Sequence, residues 1–364
     1  MKILHIHSDK KFLYLVACYS NPQIENTIVF LGEDFENSYN IIFYKKNKSA
    51  YKEISLLARE YDVVVFMSMC LQHALICTQL PQTIKVIWRF FGGELYPFLQ
   101  QEILTDKSRK FFKHSPLHST LSCLKNTLLY GASANSIFWQ AVGRANYFMC
   151  LSKDEYDFLH ERFEAIPEFL QAPFRQMEGI DVCCKKQPTI IVGHSKNIDG
   201  NHIDILDLIL KSSMSDAYRY ILFFSYSEYS KEYSEAVLER AIKCRNLKIV
   251  EQMLPFEEFN EIQRTSSVLV INAKRQIAMG NIFSAICNGM KVYLHPQNVM
   301  YNWFLRHGIK IFSTSDLLDD LEQGNILLSE DVMESNITQY NKLASTYNVL
   351  DFQRFLLSLN NANQ

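Results

Sequence analysis

The sequence predicts an α/β protein built from two successive doubly wound, Rossmann-like domains facing a cleft. Three observations predict it. Short β-branched runs alternate with helical patterns along most of the chain, which implies βαβ units and parallel sheets. One run, Asp62–Met67 (DVVVFM), carries an unbroken β-branched stretch, as expected of a central parallel strand covered on both faces. The chain has 364 residues, and at about 150 residues per domain that length suits two domains.

In the first half, strands are expected at Ile3–Ile6, Thr27–Leu31, Ile41–Tyr44, Asp62–Met67, Lys85–Phe90 and Tyr147–Leu151. Helical patterns lie between them at Phe12–Tyr19, Ile54–Tyr61, Leu71–Leu80 and Lys153–Phe163. Periodicity is lost over Ala172–Gln187, where an interdomain linker is expected. A second αβ series follows, with strands at Thr189–Val192, Tyr218–Phe224, Leu247–Val250, Val268–Asn272, Lys291–Leu294 and Lys310–Phe312. Helices are expected at Ile203–Leu210, Glu232–Lys243, Phe256–Thr265, Asn281–Asn288 and Met300–His307, and the tail from Asp331 to Leu359 reads as helical. The expected boundaries are therefore 1–175, 188–330 and a helical tail at 331–364.

Composition narrows the function. Hydrophobic residues make up 48% and charged residues 21%, so the chain is not disordered. The formal net charge of −2 argues against a globally basic nucleic-acid binder. Nine cysteines without a C-x-x-C pair disfavour a disulfide framework or a zinc site and suit a reducing cytosol. No secretory leader pattern and no apolar run near 18 residues is visible, so a soluble or peripheral protein is expected.

Parallel sheets bind ligands beyond the carboxyl ends of their strands, so the candidate site residues are expected there. In TIIVGHSKNIDGNH (Thr189–His202) a strand delivers Gly193, His194 and Ser195, and a helix starts just after Asn201 and His202. Glycine admits close approach of backbone N–H groups, and a helix start favours phosphate. An ordinary βα turn with Asn or Asp caps is the plainer alternative. In the run Leu269–Pro296, a strand end is followed by Lys274, Arg275 and Gln276, and Gly280–Asn281 opens the next helix. A departing diphosphate needs such charge neutralisation; a solvated loop is the alternative. Tyr226 and the pair Leu254–Pro255 are candidates to wall a nucleobase, or simple turn and core residues.

A carboxylate follows the strand of VIWRFFGGELYPF: Glu94, after Gly92–Gly93. It is a candidate general base for an acceptor hydroxyl, or merely a helix-start acid. Asp9, after the first strand, is the rival base or an N-cap. His5 and His7 read as core residues. No D-x-D pair is present, so no metal or other cofactor is expected and the phosphate grip falls to Arg, Lys and backbone N–H groups. The basic, aromatic stretch from Lys107 to Trp139, with Lys107, Arg109, Lys110 and Lys113, suits either an anionic membrane surface or a helical pair packed on the first sheet.

These motifs resemble those of the TDP-4-acetamido-4,6-dideoxygalactose:lipid II transferases of enterobacterial common antigen synthesis. Where that family shows W-G-A-D-L-Y, this chain has Phe91-Gly92-Gly93-Glu94-Leu95-Tyr96. Its I-L-V-G-N-S is similar to Ile190-Ile191-Val192-Gly193-His194-Ser195, with an N-x-H-like element near Asn201–His202. Its A-R-Q-Q-G-I-G-T run resembles Lys274 through Asn281, with Arg275, Gln276 and Gly280 kept. Glu replaces Asp at the base position, His194 replaces Asn and Asn281 replaces Thr.

The resemblance implies a GT-B fold and an inverting, metal-independent glycosyltransferase. The donor would be a TDP-linked deoxy-amino sugar. The acceptor would be a saccharide on a polyprenyl diphosphate, at the inner face of the bacterial inner membrane. Two other readings remain: a nucleotide-sugar epimerase of the same build, and a non-catalytic two-lobed sugar-binding protein.

Overall fold

The computed structural model describes residues 1–112, 130–174, 185–226 and 230–361. Lys113 with the middle of the basic, aromatic stretch, most of the expected linker and the Cys183–Cys184 pair lie outside the described residues.

The chain divides into two compact units. The first holds Met1–Leu95, His114–Arg175 and Tyr347–Gln364; the second holds Tyr96–Lys113 and Gln176–Thr346.

The first unit is built on seven parallel strands: β1 (Lys2–His7), β2 (Glu25–Leu31), β3 (Ile41–Tyr44), β4 (Val63–Met67), β5 (Lys85–Arg89), β6 (Tyr147–Cys150) and β7 (Glu168–Gln171). Their order is β3-β2-β1-β4-β5-β6-β7. All five residues of β4 (VVVFM) are buried, which is why this run carries no polar alternation. Edge strand β3 buries none of its four residues fully. The helix Lys48–Leu57 starts where the Asn47 side chain accepts from Ala50 N at 2.9 Å. It turns Ala50, Tyr51 and Ile54 inward.

Several elements differ from the sequence expectation: the helix expected at Ile54–Tyr61 runs from Lys48 to Leu57 with a 3-10 turn over Ala58–Glu60, and the strand expected at Lys310–Phe312 is Phe312–Ser313. Lys10–Tyr19 has the expected buried face (Leu13, Val16, Cys18) but winds as a 3-10 helix. Strand β7 was not expected, because an edge strand of four residues with one buried side chain has no pattern to read.

The second unit holds six parallel strands: β8 (Gln187–Val192), β9 (Arg219–Phe223), β10 (Leu247–Val250), β11 (Ser266–Ile271), β12 (Lys291–Leu294) and β13 (Phe312–Ser313). They are ordered β10-β9-β8-β11-β12-β13. Central β11 is buried along its whole length. Its helices include His202–Lys211, Lys231–Lys243, Phe256–Thr265, Met279–Cys287 and Glu330–Thr346.

The two sheets share one topological feature. In each, the order reverses beside the first strand, between β1 and β4 and between β8 and β11. Loops leaving such a pair diverge to opposite sides and open a crevice at the carboxyl edge.

The tail does not form a separate piece. Helix Glu330–Thr346 packs Tyr340, Leu343 and Ala344 into the second unit, with the Tyr340 ring against Phe283. Helix Val349–Asn361 instead joins the core of the first unit. There Phe352, Leu356 and Leu359 pack with Ile3, Val63, Val65 and Ile87. Gln353 Nε2 fixes its register by donating to the carbonyls of Cys18 (3.1 Å) and Ser20 (2.9 Å).

Leu356 is fully buried. Leu356→Ala is expected to cost about 2–5 kcal/mol, measured as a lower urea midpoint followed by a probe in the first unit. No change would mean that this helix is not part of that core.

Candidate active site

In the second unit the site is built at the reversal between β8 and β11. Strand β8 is followed by Gly193, whose φ of 67° lies in the left-handed region. A Cβ there would stand 2.6 Å from His202 Nε2, so the position requires glycine for two reasons. The chain continues through Ser195 and Asp199, both buried, to Asn201, at φ 48° and ψ 42°. Asn tolerates this conformation better than most side chains. The helix then starts at His202, whose Nδ1 meets Tyr233 Oη at 2.9 Å. Burial lowers the His202 imidazole to about 4 and the His194 imidazole to about 3, with the Arg275 charge acting further on His194. Both rings are neutral at pH 7.

The loop after β11 is tied to this turn. Asn272 Nδ2 donates to Asn201 O at 3.2 Å, and Asn201 Nδ2 donates to Asn272 O at 3.3 Å. Thr314 Oγ1 donates to Asn272 Oδ1 at 3.0 Å. Asn298 Nδ2 donates to the carbonyls of Ala273 and Arg275, at 2.6 and 2.9 Å. Arg275 Nε meets Asp199 Oδ2 at 2.6 Å, with both side chains almost fully buried. Gln100 Nε2 donates to the other Asp199 oxygen at 3.2 Å, and the Arg275 guanidinium lies 5.2 Å from the centre of the Tyr96 ring. The sequence pairing of Gly193 with Arg275 thus falls on two contiguous loops, and Arg275 itself is braced from three sides.

Lys274 points to a second convergence. Burial and the neighbouring Arg109 charge lower its amine, against the pull of Asp106 and Asp204. His295 is pushed down to about 4, first by burial and then by Lys274. Arg109 reaches this place because Tyr96–Lys113 belongs to the second unit. Thr105 N donates to Asn201 Oδ1 at 3.0 Å, Thr105 Oγ1 to Asp204 Oδ2 at 2.5 Å, and Lys107 pairs with Asp207. Arg109 Nη1 meets Asp106 at 3.0 Å and Nη2 meets Leu104 O at 3.0 Å, while Nε is buried without a partner. Like charges held together in a half-buried place favour an anion between them.

The other predicted residues of this unit are more scattered. Gly280, in the first turn of Met279–Cys287, is exposed, and the space around it is open. Asn281 and Gln276 are half-buried. Tyr226 is 43% exposed and sets its ring edge-on to His194 at 6.1 Å. Leu254 is half-buried, and Pro255 is exposed as the N-cap of Phe256–Thr265.

In the first unit, Glu94 lies beyond the end of β5. Its Oε1 accepts from Met69 N (3.2 Å) and Trp88 Nε1 (3.3 Å), while Oε2 is buried without a partner. Burial raises its carboxyl above the usual range, and hydrogen bonds from Trp88 and from the backbone at Glu94, Met69 and Phe91 only partly offset this. Asp9 follows β1. It caps Lys10–Tyr19 by accepting from Lys11 N at 3.1 Å, and it pairs with Lys11 Nζ at 3.0 Å. His5 and His7 are fully buried, as expected, and His5 Nε2 meets Asn26 Oδ1 at 2.8 Å, but the satisfied core histidine expected at His7 is not found, since both of its ring nitrogens lack a hydrogen-bond partner.

Sequence reasoning missed three residues here. Asp199 and Tyr96 meet Arg275 and Gln100 holds Asp199, yet nothing local distinguishes the three, since their partners lie far away in the sequence. Arg109 was read with the membrane-facing cations, because a basic stretch looks the same whether it faces lipid or packs on a neighbour. Lys107 and Arg109 are engaged within the second unit; Lys110 is exposed.

Two parallel-sheet units with reversals of this kind make up the GT-B fold. The crystal structure of HepE from Anabaena with UDP-glucose aligns with a TM-score of 0.64 at 10% identity over 100% of both chains. Sucrose-phosphate synthase from Thermosynechococcus elongatus aligns with a TM-score of 0.65 at 10% identity, again over 100% of both. WaaG, a glycosyltransferase of lipopolysaccharide biosynthesis, gives 0.57 at 10% identity over 95% of each. No curated protein matches by sequence. Residues 153–337, half of the chain, match the family described as 4-alpha-L-fucosyltransferase, glycosyl transferase group 56, and the chain belongs to that family.

Asp199→Ala would leave the Arg275 charge buried and uncompensated. The expected cost is about 3–5 kcal/mol, read from urea unfolding, with a smaller loss for Asp199→Asn. A loss below 1 kcal/mol (roughly the value of an exposed pair) would show that the pair is not a buried constraint.

Proposed function

We propose that this glycosyltransferase inverts configuration, needs no metal ion, and moves a TDP-linked deoxy-amino sugar of the 4-acetamido-4,6-dideoxygalactose type. The proposed acceptor is a saccharide carried on a polyprenyl diphosphate, in the synthesis of a bacterial surface polysaccharide. The observation that carries the reading is the joined pair of loops after β8 and β11, with the braced Arg275 and the crowded cations Lys274 and Arg109. Two linked phosphates offer the divided negative charge that such a set of donors suits. The family's fucosyltransferase description agrees with a 6-deoxyhexose donor.

In the proposed mechanism, Glu94 accepts the proton of an acceptor hydroxyl. The oxygen attacks the anomeric carbon as the bond to the diphosphate breaks, so configuration inverts. Arg275, Lys274, Gln276 and the N–H groups around Gly193–Ser195 and Gly280–Asn281 neutralise the departing charge. A carboxyl whose pKa is raised toward neutrality is a stronger base than an ordinary one. Tyr226, Leu254 and Pro255 are the proposed walls of the nucleobase site.

No helix among the described residues is long and apolar enough to cross a membrane. Peripheral attachment on the inner face of the inner membrane is the proposed location. Lys110 is the described cation left for anionic lipid, together with Lys113 beyond the described residues.

Binding is tested by thermal shift with TDP, UDP, GDP and CDP; TDP is expected to raise the midpoint most, and no shift with any of them removes the donor assignment. Glu94→Gln is expected to lower turnover at least a hundredfold (a general base supplies about 10²–10⁴-fold) with nucleotide binding retained. Undiminished turnover in that variant removes Glu94 as the base. The anomeric configuration of the product, read by NMR, separates inversion from retention.

A further inference from the structure

One peptide group holds the Glu94 carboxylate, and a histidine with no part in the proposed transfer holds that peptide. Strand β4 is followed by Ser68, whose φ of 80° is uncommon for a residue with a Cβ. The peptide joining Ser68 to Met69 is gripped at both ends. Its carbonyl oxygen, on Ser68, lies 2.8 Å from His73 Nδ1. Its N–H, on Met69, donates to Glu94 Oε1 at 3.2 Å. A carbonyl only accepts, so His73 Nδ1 carries the proton of that contact. A planar peptide moves as one body, and the place of the Met69 N–H therefore follows where His73 holds the carbonyl. Ser68 N in turn donates to Arg89 O at 3.0 Å, which ties the turn to β5.

His73 is itself fixed. It lies in the short helix Leu71–Cys77, is fully buried, and its ring stands 5.8 Å from the Phe66 ring of β4. Glu94 is held on one side. Oε1 accepts from Met69 N and from Trp88 Nε1, whose indole packs edge-on against Phe90, Phe138 and Phe148. Oε2 is buried without a partner. Anchoring one oxygen orients the carboxylate and leaves the other to receive a proton.

We propose that His73 is a positioning residue for Glu94: through the Ser68–Met69 peptide it sets the direction in which Oε2 meets the acceptor hydroxyl. This inference rests on the reading of Glu94 as the base. His73 touches no substrate and moves no proton in this role. Without its Nδ1 donor the uncommon turn at Ser68 loses a contact that maintains it, and the Met69 N–H leaves Oε1. Misplacing a reacting group by about 1 Å can cost about a hundredfold in rate.

The test compares His73→Leu and His73→Asn in the full chain, with Glu94→Gln as the reference. The substrates are TDP-4-acetamido-4,6-dideoxygalactose and a saccharide on polyprenyl diphosphate. The Asn amide brings a donor back to the place of Nδ1, whereas Leu restores only apolar volume. His73→Leu is expected to lower kcat roughly ten- to a hundredfold with TDP affinity unchanged, and His73→Asn to retain most of it. A packing role gives the opposite order, since a buried site without need of a donor prefers Leu to Asn. In the Glu94→Gln background His73→Leu should add little, because both changes act on one group. If Glu94→Gln loses turnover and His73→Leu does not, or if Leu is no worse than Asn, the positioning role alone is overturned. Undiminished turnover in Glu94→Gln removes the base, and the positioning role with it. Nitrogen-15 NMR of the histidine-labelled wild-type chain, assigned with His73→Asn, supplies a readout that needs neither substrate nor the Leu variant. A protonated Nδ1 on His73 is expected, and a bare Nδ1 overturns the proposal.

Discussion

The candidate donor site depends on the buried ion pair between Asp199 and Arg275. Neither charge is tolerable alone in that environment, since an unpaired buried ion costs several kcal/mol. Paired, they join the loop after β8 to the loop after β11, and the Asn201–Asn272 exchange does the same through the backbone. Gln100 holds the other oxygen of Asp199, and the Tyr96 ring lies against the guanidinium. The arginine is therefore held in place before any substrate arrives, which reduces the ordering cost that binding would otherwise incur. Lys274 differs: it is only half-buried, and its charge is disfavoured by burial and by Arg109.

Backbone strain follows the same map. Among the described residues, three without glycine's freedom have positive φ: Ser68, Asn201 and Ala278. They follow β4, β8 and β11, the strands that flank the two reversals of sheet order. Such conformations cost about 1–3 kcal/mol each and persist where surrounding contacts hold them. Those contacts are visible at two of the three. Ser68 presents its carbonyl to His73, and Asn201 places its side chain on Ile103 O, Thr105 and Asn272 O. The strain is concentrated where a parallel sheet presents ligand sites, and the regular elements beneath carry none of it.

Much of the fold was legible because burial on both faces writes itself into composition. Central strands such as VVVFM and SSVLVI contain little that water would favour. The edge of the first sheet was not legible: β7 is too short and too mixed to stand out from a loop. The 3-10 winding of Lys10–Tyr19 was hidden for another reason, since a tightened helix keeps nearly the same apolar face as an α-helix. In the candidate site, Gly193, Arg275 and Glu94 stand out in the sequence because glycine, a cation and a carboxylate beyond a strand end each suggest a chemical role. Their partners were not found, since a tyrosine or an aspartate in a helix-like stretch carries no sign of what it will face.

The sequence by itself determined the strand–helix alternation, the two parallel sheets and the loops that follow β5, β8 and β11. Each is a local consequence of periodicity and of glycine placement. Only the tertiary structure decided which charges meet. It brought Arg109 beside Lys274, placed Tyr96 on Arg275, set Asp9 to capping and sent the last helix back to the first unit's core. The reason is physical: hydrophobic patterning acts through nearest neighbours on one element, whereas ion pairing and desolvation depend on distances between residues far apart in sequence.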